Sequence, residues 1–114
     1  MNDAYIYDAV RTPRGKGRKD GALHEVSAAK LSVTALNAIK DRNGLEGHAV
    51  EDVIWGNVTQ VAEQGACLAR TAVLASDLDE AIPGVSINRF CASGLEAVNM
   101  AANQVRGGAG DGYI

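Results

Sequence analysis

The sequence predicts an α/β fold in which parallel strands alternate with crossover helices. Short strand-like segments alternate along the chain with longer segments whose apolar residues recur at helical spacing. The connections between them are short and rich in Gly, Pro or Asp. The chain has 114 residues, 46% of them hydrophobic, which suits one domain with a modest core. Such alternation is typical of a parallel sheet with right-handed crossovers.

The first half of the chain is predicted to contain one strand and one helix. Residues 5–10 form the strand, and a basic, Gly-rich loop over residues 14–21 follows it. Apolar residues between positions 26 and 39 then recur at spacings of three and four, which predicts a helix. Ser27 is a suitable N-cap for this helix, and Asn43-Gly44 is a suitable left-handed end.

The second half of the chain is predicted to repeat this alternation, giving the order β-α-β-α-β-α-(β). Strands are predicted over residues 51–58 and 85–87, and helices over residues 65–76 and 91–106. Tyr113-Ile114 opens a fourth strand. The chain stops two residues into that strand, so we expect these 114 residues to be the front part of a longer chain, poorly stable alone and prone to associate.

Composition excludes several classes of function. Aromatic residues make up only 4% of the chain, which argues against a stacking platform for single-stranded nucleic acid. No segment approaches the ~18 consecutive apolar residues of a membrane helix, and the N-terminus lacks the pattern of a secretory signal. The sequence shows no spacing typical of a metal site, and two cysteines make no disulfide framework. We therefore expect free thiols in a reducing, cytoplasmic environment.

Positive charge is concentrated in one segment near the N-terminus. Five basic residues lie within nine positions that contain no acidic residue: Arg11, Arg14, Lys16, Arg18 and Lys19. The remaining six basic and fourteen acidic residues give the rest of the chain a net charge of −8. Arginine and lysine suit phosphate groups, but we favour a solvated, mobile loop because scattered surface charges contribute little.

Cys91 is the candidate nucleophile. It lies in the first turn of the predicted third helix, where free backbone N–H groups and the helix dipole favour a thiolate. Ser93 and Gly94 are small, which indicates that a substrate or another helix approaches this turn closely. Position alone leaves inert packing as the alternative, because free cysteines are among the most buried residues.

Residues 87–98, with the sequence INRFCASGLEAV, together with Val105, resemble the active-site cysteine signature of the thiolases. Residues 8–13 with Gly15, residues 53–58 and residues 69–72 resemble three further segments of that family, so the resemblance spans nearly the whole chain. The Asn-Arg-Phe-Cys form is similar to that of the 3-ketoacyl-CoA thiolases of fatty-acid β-oxidation.

The resemblance implies a fold and a role for Cys91. Residues 1–114 would form part of a thiolase N-terminal domain, with a mostly parallel sheet of strand order 3-2-1-4 and the first strand central. Cys91 would attack the carbonyl of an acyl-CoA thioester and carry the acyl group. The reaction would exchange 3-oxoacyl-CoA plus CoA for acetyl-CoA plus a shortened acyl-CoA. CoA and acyl-CoA would be substrates, no cofactor would be permanently bound, and the intact protein would be a homodimer or homotetramer.

The family's histidine and second cysteine belong to its carboxyl-terminal half, so the resemblance implies that residues 1–114 alone are inactive. His24, His48 and Cys67 match no family motif. We expect both histidines to be exposed or to cap turns, and Cys67 to be a packing residue.

Two other functions remain open. Ketoacyl and hydroxymethylglutaryl synthases share the fold and a cysteine at a helix end, although Asn88-Arg89-Phe90 and Gly94 favour a thiolase. The chain could also be an inactive subunit or fragment that acts only through association.

Overall fold

The computed structural model describes residues 2–46 and 49–114. Its regular elements, in chain order, are α1 (Ala28–Asn43), β1 (Val53–Gly56), a 3₁₀ helix (Ala62–Gln64), α2 (Leu68–Ala75), β2 (Gly84–Ile87) and α3 (Ser93–Gly107). The predicted alternation of helices with parallel strands is confirmed from α1 onward.

β1 and β2 form a parallel pair in which Val53 lies opposite Gly84 and Gly56 opposite Ile87. Helix α2 connects the two strands and packs against both, as well as against α1. Parallel neighbours need such a crossover, because the chain must return to the same end of the sheet. The carboxyl ends of β1 and β2 therefore lie side by side.

The predicted ends of α1 are confirmed. Ser27 is extended, and its Oγ accepts a hydrogen bond from the N–H of Lys30 at 3.1 Å. Gly44 ends the helix at φ +59°, a conformation that glycine adopts without steric cost. α2 and α3 begin two to three residues later than predicted. Ala66 has φ +52°, which is incompatible with a helix starting at residue 65.

The core lies where α1, α2 and the strand pair meet. Leu36, Val53 and Val73 are fully buried at its centre. α2 presents Ala69 and Ala72 to the core, so its backbone comes close to the sheet. A Cβ added at Gly84 would lie 2.8 Å from the backbone nitrogen of Arg70, which shows that β2 and α2 touch backbone to backbone at this position.

The predicted first strand is wrong. Residues 5–10 have no regular secondary structure and pair with no strand among the described residues, and Tyr5, Ile6 and Tyr7 are exposed. This segment is instead tied to the carboxyl end of α1, since the Asp8 carboxylate accepts hydrogen bonds from Arg42 and Asn43, both at 3.0 Å. These contacts hold the pKa of Asp8 below its usual value, with the Asn43 hydrogen bond as the main lowering cause.

The strand order also differs from the predicted 3-2-1-4. The edge of β1 opposite β2 is occupied by the last residues of the chain, through a parallel bridge between Asp52 and Tyr113. The N–H of Ile54 donates to the carbonyl of Ile114 at 2.7 Å. Because these bonds occupy the backbone groups of that edge, residues 5–10 cannot lie between β1 and the chain end.

Among the helices of the described residues, none combines the length and the apolar character that crossing a lipid bilayer requires.

We expect Gly84→Ala to destabilise the fold. The added Cβ would clash with the backbone of α2, which cannot move as a flexible side chain could, and overpacking of this kind costs about 1–3 kcal/mol. The matched control is Gly107→Ala in α3, where a Cβ would meet nothing within 4 Å. Denaturant unfolding should give a lower midpoint for Gly84→Ala only, and equal midpoints for the two variants would contradict the close approach.

Candidate active site

Cys91 lies in the turn that joins the carboxyl end of β2 to α3, and its side chain is exposed. Beyond the paired strands, the N–H of Asn57 donates to the carbonyl of Ile87 at 2.8 Å. The parallel pairing therefore continues up to the residues that precede the cysteine. Cys91 stands two residues before the first residue of α3, rather than within the helix as the sequence predicted.

The turn around Cys91 is tightly hydrogen-bonded and strained. The side-chain oxygen of Asn88 accepts from the N–H of Phe90 at 2.8 Å, and the carbonyl of Arg89 accepts from the N–H of Ala92 at 3.0 Å. Phe90 has φ +47°, a left-handed conformation that costs a non-glycine residue about 1–3 kcal/mol. Such strain persists only where surrounding contacts hold the backbone.

Ser93, the first residue of α3, supplies two of those contacts. Its Oγ accepts a hydrogen bond from the N–H of Arg89 at 2.8 Å and donates one to the carbonyl of Phe90 at 2.7 Å. The residue is only 4% exposed. The sequence indicated Ser93 only through its small size, and its hydrogen bonds become visible only when the turn is folded.

The close approach expected at the turn of Ser93 and Gly94 occurs, and it is made by the strand β1 at Gly56. A Cβ at Gly94 would meet no atom within 4 Å, whereas a Cβ at Gly56 would lie 2.6 Å from the carbonyl carbon of Ser93 and 2.6 Å from the nitrogen of Gly94. The first turn of α3 therefore packs directly on the backbone of β1. The glycine that this contact requires is in the strand, because a side chain there would displace the helix.

The surface beside Cys91 is largely apolar. Phe90, Leu95 and Val98 are exposed large hydrophobic residues on this stretch of chain. An exposed ion pair joins Arg89 of the turn to Glu96 of α3 at 3.3 Å. The site thus offers an accessible sulfur among apolar side chains, at the start of a fifteen-residue helix.

Residues 4–114 match the family model described as "Thiolase, N-terminal domain". The chain belongs to the thiolase family. It is 41% identical, over its whole length, to a 3-ketoacyl-CoA thiolase of Colwellia psychrerythraea, and it covers 30% of that relative. It is 39% identical to a 3-ketoacyl-CoA thiolase of Acinetobacter baylyi, over 98% of this chain and 28% of the relative.

A solved structure shows the same fold. The acetyl-CoA acetyltransferase of Bacillus anthracis superposes with a TM-score of 0.71 at 38% identity, covering 78% of this chain and 22% of that one. This thiolase chain thus spans somewhat less than a third of the length of the relatives that it matches.

The second cysteine of this thiolase chain has a different environment. Cys67 immediately precedes α2, is half-buried and packs against the core. Its thiol donates to the carbonyl of Gly84 at 3.3 Å. Burial raises the pKa of the Cys67 thiol, but hydrogen bonds from the backbone of Arg70 and from Ser86 outweigh it and leave the pKa below its usual value. The predicted packing role is confirmed, although this thiol is also polarised.

The other candidate functional residues in the described part of the chain do not contact the Cys91 turn. His24 is exposed and contacts the carboxylate of Glu25. His48 lies outside the described residues. The five basic side chains of residues 11–19 are exposed, as expected for a solvated loop.

We expect Cys91 to react with iodoacetamide before Cys67. The exposed Cys91 sulfur is open to the reagent, whereas the Cys67 thiol is half-buried and donates to a backbone carbonyl, which limits access even though its pKa is lowered. Peptide mass spectrometry after timed labelling of the native chain measures both sites together. Faster labelling of Cys67 than of Cys91 would show that the lowered pKa of Cys67 affects its labelling rate more than its limited access does.

Proposed function

We propose that this chain contributes the nucleophile of a 3-ketoacyl-CoA thiolase, an acyltransferase in which Cys91 carries the acyl group. The observation that supports this most strongly is the exposed cysteine on a strained turn at the start of α3, in a chain of the thiolase family. The names of its relatives support the substrate class, 3-oxoacyl-CoA and CoA.

In the proposed thiolysis, the Cys91 sulfur attacks the 3-oxo carbonyl carbon of a 3-oxoacyl-CoA. The bond between C2 and C3 then breaks, and its electron pair leaves with the acetyl-CoA portion, which takes up a proton. The acyl group stays on Cys91 as a thioester. The thiolate of a second CoA attacks this thioester, which releases a shortened acyl-CoA and regenerates the cysteine.

The local structure supports this chemistry in two ways. The rigid pairing of β1 with β2 places the turn at the carboxyl edge of the sheet, and loops on a rigid scaffold are where catalytic groups are commonly held. The turn leaves the Cys91 sulfur exposed, so that a substrate can reach it.

The proton transfers require groups beyond those found beside Cys91. Within residues 2–46 and 49–114, no hydrogen bond or ion pair joins a histidine to the Cys91 turn. We propose that the general acid and base come from residues outside this chain, as the thiolase resemblance implies. A proton-transfer group typically contributes about 10²–10⁴-fold in rate.

We further propose that the protein acts in fatty-acid β-oxidation, in a reducing, cytoplasmic compartment, and as a homodimer or homotetramer. The relatives named 3-ketoacyl-CoA thiolase support the pathway. The two free cysteines suit a reducing environment. Exposed Tyr5, Ile6 and Tyr7 provide apolar surface that association would cover.

A chimera tests the role of Cys91. Residues 1–114 would replace the matching segment of the Colwellia psychrerythraea thiolase, to which they align over their full length. We expect Cys91→Ala to abolish CoA-dependent thiolysis, because the acyl group would have no nucleophile at the start of α3. Cys67→Ala, the matched control, should keep most of it, because Cys67 is half-buried and packs against the core rather than on the Cys91 turn. Thiolysis is followed by loss of 3-oxoacyl-CoA absorbance, and turnover in the Cys91→Ala chimera would falsify the proposal.

The isolated chain should bind the acyl group without turning over. After incubation of residues 1–114 with an acyl-CoA, we expect peptide mass spectrometry to find an acyl adduct on Cys91 and none on Cys67. A CoA-release assay should show no multiple turnover, since the proposed acid and base are missing. Sustained turnover by these residues alone would contradict that assignment, and an adduct on Cys67 would contradict the choice of nucleophile.

A further inference from the structure

We propose that Ser93 is a positioning residue for Cys91, acting through the backbone of Arg89 and Phe90. This inference rests on the proposed role of Cys91 as nucleophile. Ser93 does not touch the reacting sulfur in this proposal. It fixes the two residues that immediately precede the cysteine, and thereby the direction in which the thiol leaves the turn.

The hydrogen bonds of Ser93 serve the turn rather than the helix. A helix-capping side chain accepts from an N–H of the first helical turn, as Ser27 does from Lys30 in α1. The Ser93 hydroxyl instead accepts from the N–H of Arg89, which precedes the helix, and donates to the carbonyl of Phe90. Both partners belong to the strained turn, so the hydroxyl joins that turn to the first residue of α3.

The strain at Phe90 explains why such a link is needed. Phe90 is 76% exposed, so packing of its side chain does little to hold φ at +47°. Its N–H is fixed by Asn88 and its carbonyl by Ser93, through both the Ser93 hydroxyl and the Ser93 N–H. Loss of the hydroxyl removes one of these bonds and leaves the N–H of Arg89 without its partner, so the backbone can relax toward negative φ.

Ser93 is itself fixed to the sheet. Its backbone packs on Gly56, where a Cβ would lie 2.6 Å from the Ser93 carbonyl carbon. The chain of contacts therefore runs from β1 through the backbone of Ser93 and its hydroxyl to the residues before Cys91. A rotation of the turn would break this series of contacts at the hydroxyl, which is the buried side-chain link between the turn and α3; the other, the Arg89–Glu96 ion pair, is exposed.

The test compares two buried serines in the intact 114-residue chain. Ser32 is as buried as Ser93, at 5% and 4% exposure, and its Oγ likewise makes two hydrogen bonds, donating to Ala28 and accepting from Trp55. Ser32 belongs to α1 and makes no described hydrogen bond to the Cys91 turn. Ser32→Ala therefore reproduces the loss of a buried hydroxyl without touching the turn.

The readout is the alkylation rate of each cysteine, measured by peptide mass spectrometry across a pH series. The turn holds the Cys91 sulfur exposed to the reagent, so we expect Ser93→Ala, which lets the strained turn relax, to slow Cys91 labelling at neutral pH by about threefold to tenfold. Ser32→Ala should leave Cys91 labelling and its pH profile unchanged. Equal Cys91 profiles in the two variants would overturn the proposal.

Two further variants keep the test decisive if Ser93→Ala is poorly folded. Ser93→Thr retains the hydroxyl and should retain the wild-type Cys91 profile. Phe90→Gly removes the steric cost of the left-handed conformation, so the effect of Ser93→Ala should shrink in the Phe90→Gly background. If Ser93→Ala slowed Cys91 labelling by the same factor in the Phe90→Gly background as in the wild-type chain, Ser93 would not act through Phe90.

The same samples and the chimera separate this inference from the proposed function. Incubation with an acyl-CoA reports whether Cys91 is acylated, and the alkylation profile reports whether Ser93 positions it. An acyl adduct with no effect of Ser93→Ala overturns the positioning role alone. An altered alkylation profile together with sustained thiolysis by the Cys91→Ala chimera overturns the proposed function alone.

Discussion

Backbone contact between helices and the strand pair is the constraint on which the rest of this structure depends. Gly84 lets α2 approach the beginning of β2, and Gly56 lets α3 approach the end of β1. Neither contact leaves room for a side chain. The parallel pairing of β1 with β2 requires α2 to cross over between them, so both helices are held against the same pair of strands at backbone distance.

This packing determines where Cys91 can be. With α3 pressed on Gly56, the chain has only the residues between Ile87 and Ser93 in which to turn from strand to helix. Within this turn, Phe90 has a left-handed conformation. The hydrogen bonds of Asn88 and Ser93 stabilise that conformation. The exposed thiol is thus held by a turn that would relax if it were free.

The N-terminal residues show how far a local pattern can mislead. Residues 5–10 have the composition of a strand, and strand propensity largely reflects packing on a half-buried surface. In this structure the available edge of β1 pairs with the chain end, and Asp8 binds the end of α1 instead. Tyr5, Ile6 and Tyr7 therefore remain exposed. Which segment occupies a sheet edge depends on competition between distant segments, and no local pattern encodes it.

The sequence by itself determined the features that depend on near neighbours. The N-cap at Ser27, the left-handed end at Gly44, the alternation of helices with parallel strands from α1 onward and the candidate cysteine after β2 all follow from local residue chemistry. The sequence also predicted a close approach at the turn of Ser93 and Gly94, but not that Gly56 of β1 makes it. Only the tertiary structure decided the role of Gly56, the hydrogen bonds of Ser93 and the strain at Phe90. It also decided that the chain end pairs with the edge of β1 opposite β2. The physical reason is that each of these joins segments whose separation in space is unknown until the core has packed.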